Sequence, residues 1–171
     1  MPLLAVTVLG DDRPGIVAEV TAVLAAVGGN LEDSTMTLLR GAFAMVLVVT
    51  ADAPAEQVRE ALAPLEADGH LSVNVRGVSA HDEGERGSAY LLSVHGGDRP
   101  GIVSQVTAEL ARVGGNVTDL STRLTGELYT LLAEVDLPEG TDVPALESAL
   151  RAVARELGVD ATLSSVDADV L

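Results

Sequence analysis

The octapeptide Gly10-Asp11-Asp12-Arg13-Pro14-Gly15-Ile16-Val17 returns almost unchanged as Gly96-Gly97-Asp98-Arg99-Pro100-Gly101-Ile102-Val103. The offset is 98 − 12 = 86 residues, and 15 of the 19 positions in Asp12–Asn30 are identical to those in Asp98–Asn116. A period of 86 is longer than the roughly 20 to 50 residues of a solenoid unit, and two copies are too few for one. The repeat therefore predicts two related domains. They are expected at residues 1–79 and 88–171. Between them the charged, glycine-bearing segment 80–87 reads as a linker short enough to keep the halves together.

Each half then has to build a core from some 80 residues, which is small but sufficient. Hydrophobic residues make up 47% of the 171 and aromatics only 2%, so that core consists of Val, Leu, Ile and Ala. In the first half, the apolar run Leu3–Leu9 reads as a strand that is central or buried on both sides. Ile16, Val17, Val20, Leu24 and Val27 follow at helical spacing, with Pro14 near the first turn and Gly28-Gly29 as the stop. The polar stretch Asn30–Leu39, a turn at Arg40-Gly41 and the apolar Ala42–Thr50 predict a hairpin whose first strand is exposed. Val58, Ala61, Leu62 and Leu65 mark a second helix from about Pro54, and Pro64 should end or bend it near Ala63. Leu71, Val73 and Val75, alternating with polar residues, form the last strand.

The second half repeats this order. Ala89–Val94 is a strand, Ile102–Val113 a helix, Asn116–Leu124 and Glu127–Asp136 a hairpin turning at Thr125-Gly126, Val143–Leu157 a helix, and the last strand lies within Val159–Val166. The order β-α-β-β-α-β with right-handed crossovers gives a four-stranded antiparallel sheet with both helices on one face, the ferredoxin-like sandwich. The fold class is α+β.

Charge limits the partners. A net charge of −16 without an Arg cluster would repel a phosphate backbone, so direct nucleic-acid binding is not expected. The longest strongly apolar stretch, Phe43–Val49, is far below the roughly 20 residues that span a bilayer. The expectation is a cytoplasmic protein without membrane contact. Enzyme chemistry has little to work with: there is no Cys, and His70, His81 and His95 form no metal-ligand or nucleophile–base spacing. No catalytic residue, metal or cofactor is expected.

The loop before each first helix is the best place for a ligand. Free N–H groups at Gly15, Ile16 and Val17 and the helix dipole suit a carboxylate, while Asp12 could hold an ammonium. Two readings stay open for Asp12: ligand contact, or a plain helix cap. Asn30 and Asn116, after paired glycines, are either turn residues or amides that reach a ligand held against a neighbouring domain.

The Asp-Arg-Pro-Gly-Ile-Val loop between strand and helix, twice, with Gly-Gly-Asn opening the next strand, resembles ACT domains, small regulatory modules that bind amino acids. A chain of two such domains with Gly29-Asn30-Leu31-Glu32-Asp33-Ser34 is similar to the glycine cleavage system transcriptional repressor family. The second half, Asn116-Val117-Thr118-Asp119-Leu120-Ser121, lacks that string. The resemblance implies two tandem ACT domains packed as a pseudo-dimer. It implies an amino-acid ligand (glycine, serine or another) between the loop of one domain and the second strand of its neighbour. Its contacts would be Asp12, Gly15, Ile16, Asn30 and Leu31, and Asp98, Gly101, Ile102, Asn116 and Val117. Serine-binding members have an amide where Asp12 and Asp98 stand and a histidine where Gly10 and Gly96 stand, so the ligand does not transfer. The implied function is an amino-acid-sensing regulator acting through a protein partner, such as a transcription factor, rather than on DNA. The alternative is a stand-alone regulatory subunit that controls a metabolic enzyme, and homo-oligomers such as a dimer are open in both cases.

Overall fold

A computed structural model describes residues 1–79 and 87–166. They fall into two compact units, and the expected linker, apart from Gly87, lies outside the described residues. In the first unit β1 (Leu3–Asp11) is followed by α1 (Ile16–Ala26), β2 (Asn30–Leu39), β3 (Ala42–Thr50), α2 (Ala55–Leu62) and β4 (Leu71–Val78). In the second, β5 (Ser88–Gly97), α3 (Ile102–Arg112), β6 (Asn116–Thr125), β7 (Leu128–Leu137), α4 (Val143–Leu157) and β8 (Val159–Ser165) repeat the order. Each unit is a four-stranded sheet, β2-β3-β1-β4 or β6-β7-β5-β8, with every neighbouring pair antiparallel. The βαββαβ order is as the sequence predicts.

Alternation decides the layers. Leu4, Val6 and Val8 of β1 and Phe43, Met45, Leu47 and Val49 of β3 are buried together with Ile16, Val20 and Leu24 of α1 and Val58 and Leu62 of α2. Both helices therefore cover the same face of the sheet. The second core is equivalent, with Leu92 and Val94 against Ile102, Val106 and Leu110 and, from α4, Leu146 and Leu150.

The apolar run at Leu3–Leu9 is central, between β3 and β4, but it is not buried on both sides. Its second face carries Leu3, Ala5, Thr7 and Leu9, and Leu9 is 57% exposed. Helices pack on one side only, so a continuous apolar sequence overstates burial here. The hairpin follows expectation: β2 is an edge strand exposed at every position, and β3 alternates buried with open residues. The second hairpin turns one residue later than predicted, at Gly126-Glu127.

Pro64 acts as its chemistry requires. Helix α2 ends at Leu62 and a 3-10 turn, Ala63–Glu66, takes over, because proline offers no N–H to an α-helical bond. The twin Gly-Gly pairs end α1 and α3 in Schellman geometry: Gly29 N–H donates to the Leu24 carbonyl at 2.8 Å and Gly28 N–H to Ala25 at 3.1 Å, with Gly115 and Gly114 doing the same at Leu110 and Ala111.

Candidate functional site

The repeated loop joins the end of β1 to the start of α1. Asp11 N–H donates to the His70 carbonyl at 3.0 Å and Asp12 N–H to the Gly41 carbonyl at 3.2 Å. The loop is thereby tied to β4 on one side and to the hairpin turn on the other. Gly15 is the N-cap of α1 with φ 96°, and Gly101 is its twin on α3 with φ 94°. An L-residue is strained in that left-handed region, which is why glycine stands there. No side chain caps either helix. The capping reading of Asp12 and Asp98 is thereby removed, and the first N–H groups of α1 and α3 have no protein acceptor among the described residues. Such a helix start suits an anion.

Around the first loop a cleft of about 450 Å³ is lined by Asp12, Arg13, Gly15, Ile16, Met36 and Phe43, among others. Arg13 does not point freely into it. Its guanidinium donates to both carboxylate oxygens of Glu19, at 2.8 and 2.6 Å. This hydrogen-bonded pairing holds Glu19 below the usual carboxylate range and Arg13 above its own. On the β4 side, His70 Nδ1 lies 2.9 Å from Asp11 Oδ2, and His70 N–H donates to Asp68 Oδ1 at 3.0 Å. The hydrogen bond to Asp11, then the charge of Asp68, raises the His70 pKa. In the second unit the loop cleft, about 540 Å³, is lined by Gly97, Asp98, Arg99, Leu124, Gly126 and Glu127.

The other expected site residues are placed as follows. Ile16 and Ile102 are each 2% exposed, so their side chains are core and offer a ligand no surface. Asn30 pairs with Thr50, which pairs with Leu3, whereas Asp11 pairs with Ala42. Eight residue steps at about 3.4 Å put Asn30 about 27 Å along the sheet from the loop of its own unit. Asn116 and Asp98 are separated in the same way, with Asn116 opposite Asp136 and Gly97 opposite Leu128. Leu31 is exposed and Val117 packs on the second core. Both strands shift register directly after these residues, between Leu31 and Asp33 and between Val117 and Asp119. The extra residue, Glu32 in the first case, accepts a hydrogen bond from Thr50 Oγ1 at 3.0 Å; such a bulge re-aims the residues beside it.

Glu19, Met36, Phe43 and Glu127 were not singled out from the sequence. One signal was present: Glu19 and Gln105 are among the four differences between the 19-residue copies.

Gly10 explains a departure from the serine-binding pattern. A Cβ at Gly10 would lie 2.0 Å from the His70 carbonyl oxygen, and at Gly96 2.8 Å from Val159 Cγ1. A histidine cannot stand at either position against so close a fourth strand.

A model of the ACT domain matches residues 3–75 and again 88–164. The chain belongs to the ACT-domain family, with two domains in tandem. Over 171 aligned residues, 96% of this chain and 90% of the relative, it is 25% identical to the glycine cleavage system transcriptional repressor of Escherichia coli strain K12. A UPF0237 protein of Methanosarcina acetivorans is 43% identical over 81 residues, covering 47% of this chain and 88% of that protein. Among solved structures, an unknown protein from Galdieria sulphuraria superposes with a TM-score of 0.82 at 32% identity, covering 96% of this chain and 98% of that one. That relative is named for transcriptional repression, and this chain is similar to it over nearly its whole length. Among the described residues no helix is long and apolar enough to cross a membrane.

Proposed function

We propose that the chain is an amino-acid-sensing regulator that acts through a protein partner, a reading supported by its similarity to the glycine cleavage system transcriptional repressor. One observation carries the reading: in both ACT domains the loop after the first strand ends in a left-handed glycine that leaves the helix start uncapped. An α-carboxylate suits such N–H groups, and Asp12 and Asp98, not engaged as caps, suit an ammonium. The ligand would lie beside Asp12–Val17 or Asp98–Val103. Asn30 or Asn116 could join it only from a domain other than its own, given their distance along the sheet. The charge of −16 favours regulation by protein contact over DNA contact, because a chain without a basic patch gains little from counterion release. A ligand can bias the regulator only as far as it binds one arrangement better; a five- to 150-fold preference is roughly 1 to 3 kcal/mol.

The test is a thermal-shift screen of the full chain against the twenty amino acids. A binder at 100 times its dissociation constant stabilises by about 2.7 kcal/mol, which is a shift of several degrees. No shift with any of them contradicts the proposal.

A further inference from the structure

The last strand of the second sheet has an open edge where that of the first is closed. Val166 N–H donates to the Ala89 carbonyl at 2.9 Å, and β8 pairs with β5 without a register shift. Counting back in twos, Asp160, Thr162 and Ser164 turn their backbone groups to β5, and Val159, Ala161 and Leu163 turn theirs to the free edge. In the first unit the same count leaves Leu71, Val73 and Val75 outward, because Asp11 N–H donates to the His70 carbonyl. There the edge is blocked. Val73 N–H donates at 2.7 Å to Oε1 of Glu66, which stands on the turn after α2.

Over the second helix and last strand the units correspond at an offset of 159 − 71 = 88 residues, since Gly10 pairs with Leu71 and Gly96 with Val159. The equivalent of Glu66 is therefore Ala154 and that of Val73 is Ala161. Alanine offers no acceptor, so Ala161 N–H lacks the partner its twin has. A cleft of about 460 Å³ opens at this place, lined by Ser148, Arg151, Ala154 and Arg155 of α4 and by Val159 and Ala161 of β8, among others. The first unit has Glu60, Ala63 and Ala67 where Ser148, Arg151 and Arg155 stand, so its groove is acidic and this one is basic. Arg151 donates to Glu147 Oε2 at 2.6 Å. Arg155 is ion-paired with no carboxylate among the described residues. Asp160, the one carboxylate lining the cleft, lies with Oδ2 3.8 Å from His95 Nε2.

Alternating N–H and C=O groups along a strand edge match another extended peptide backbone, and a guanidinium beside them matches a carboxylate. A nucleic acid has no such backbone to offer the edge. We propose that an extended, acidic segment of the protein partner adds to β8 as a fifth strand of the second sheet. It bonds to Ala161 and Leu163 and lays an Asp or Glu side chain against Arg155 and Arg151. Glu66 keeps the first unit from doing the same. This rests on the reading of the chain as a regulator that acts through a protein partner, and it names where that partner docks.

The full chain serves as bait for a random peptide library displayed on phage, and the tightest peptide is then made with both ends blocked. The expected peptides are rich in β-formers and carry an Asp or Glu. By NMR-detected hydrogen exchange, the amides of Ala161 and Leu163 exchange fast in the free chain and are protected by the peptide, while that of Val73 does not change. Arg155→Glu weakens the peptide at least about tenfold, the scale of one charge-assisted hydrogen bond. A peptide with Lys in place of its acidic residue binds Arg155→Glu better than wild type, a rescue that lost folding would not produce. No selected peptide, selected peptides without an acidic residue, unchanged affinity in Arg155→Glu, or unprotected Ala161 and Leu163 amides would overturn the inference while leaving the partner reading standing. Protection of those amides in the free chain that disappears on dilution would make the occupant a second copy and overturn it as well. Retardation of DNA by the chain alone overturns the partner reading instead.

Discussion

At Gly10 the side chain is limited to a hydrogen by the entry to the fourth strand, where the His70 carbonyl just before β4 would sit 2.0 Å from a Cβ. Gly10→Ala must therefore push β4 away, and we expect a loss of about 1 to 3 kcal/mol, the usual range for overpacking, read by urea unfolding. His70 gives a pH dependence. Its hydrogen bond to Asp11 and the charge of Asp68 raise its folded pKa above the ordinary imidazole value. The contact's contribution is thus present in full below that ordinary value and is lost as pH rises through the raised one. NMR titration should find His70 above its ordinary value, and Asp11→Asn should bring it back down; an unmoved midpoint would dismiss the contact. At this scale the sequence was half legible. The twin loops announced where Gly15 and Gly101 stand, and glycine chemistry explains their left-handed φ. The Asp11–His70 contact joins residues far apart in the chain, and no local pattern encodes it.

Among the elements, exposure separates strands that look similar in length. Leu47 on β3 is fully buried against both helices, so Leu47→Ala should cost about 2 to 5 kcal/mol. Thr35 on the exposed β2 should change stability by no more than about 0.5 kcal/mol on substitution to Ala. Chemical denaturation compares the two directly, and equal costs would refute the one-sided core. Periodicity made the helices, the hairpins and the edge position of Asn30–Leu39 readable, because its polar residues, Asn30, Glu32, Asp33, Ser34, Thr35 and Thr37, fall at both even and odd steps and leave neither face wholly apolar. It left two readings open at Leu3–Leu9, and the strand proves central with one face, at Leu9, open to solvent. An apolar side chain reports what a position tolerates, and which sheet face the helices cover is settled only by the whole unit. The Asn30 string was legible as a motif, but its ten-residue strand carries it to the far end of the sheet from Asp12, a fact that register supplies and spacing does not.

For the whole molecule, repeat, charge and family agree on two tandem ACT domains with little attraction for polyanions. At about 0.15 M salt the chain alone should not retard DNA in a gel, since the counterion-release gain needs phosphate-neutralising Lys or Arg; a retarded band would contradict regulation by protein contact. The central claim is that the repeated loop is where an amino acid is sensed. Amide chemical-shift mapping of the full chain, titrated with the amino acids that shift its melting temperature, tests this most directly. The moved amides are expected to cluster at Asp12–Val17 or at Asp98–Val103. Perturbations confined to surfaces remote from both loops would contradict it.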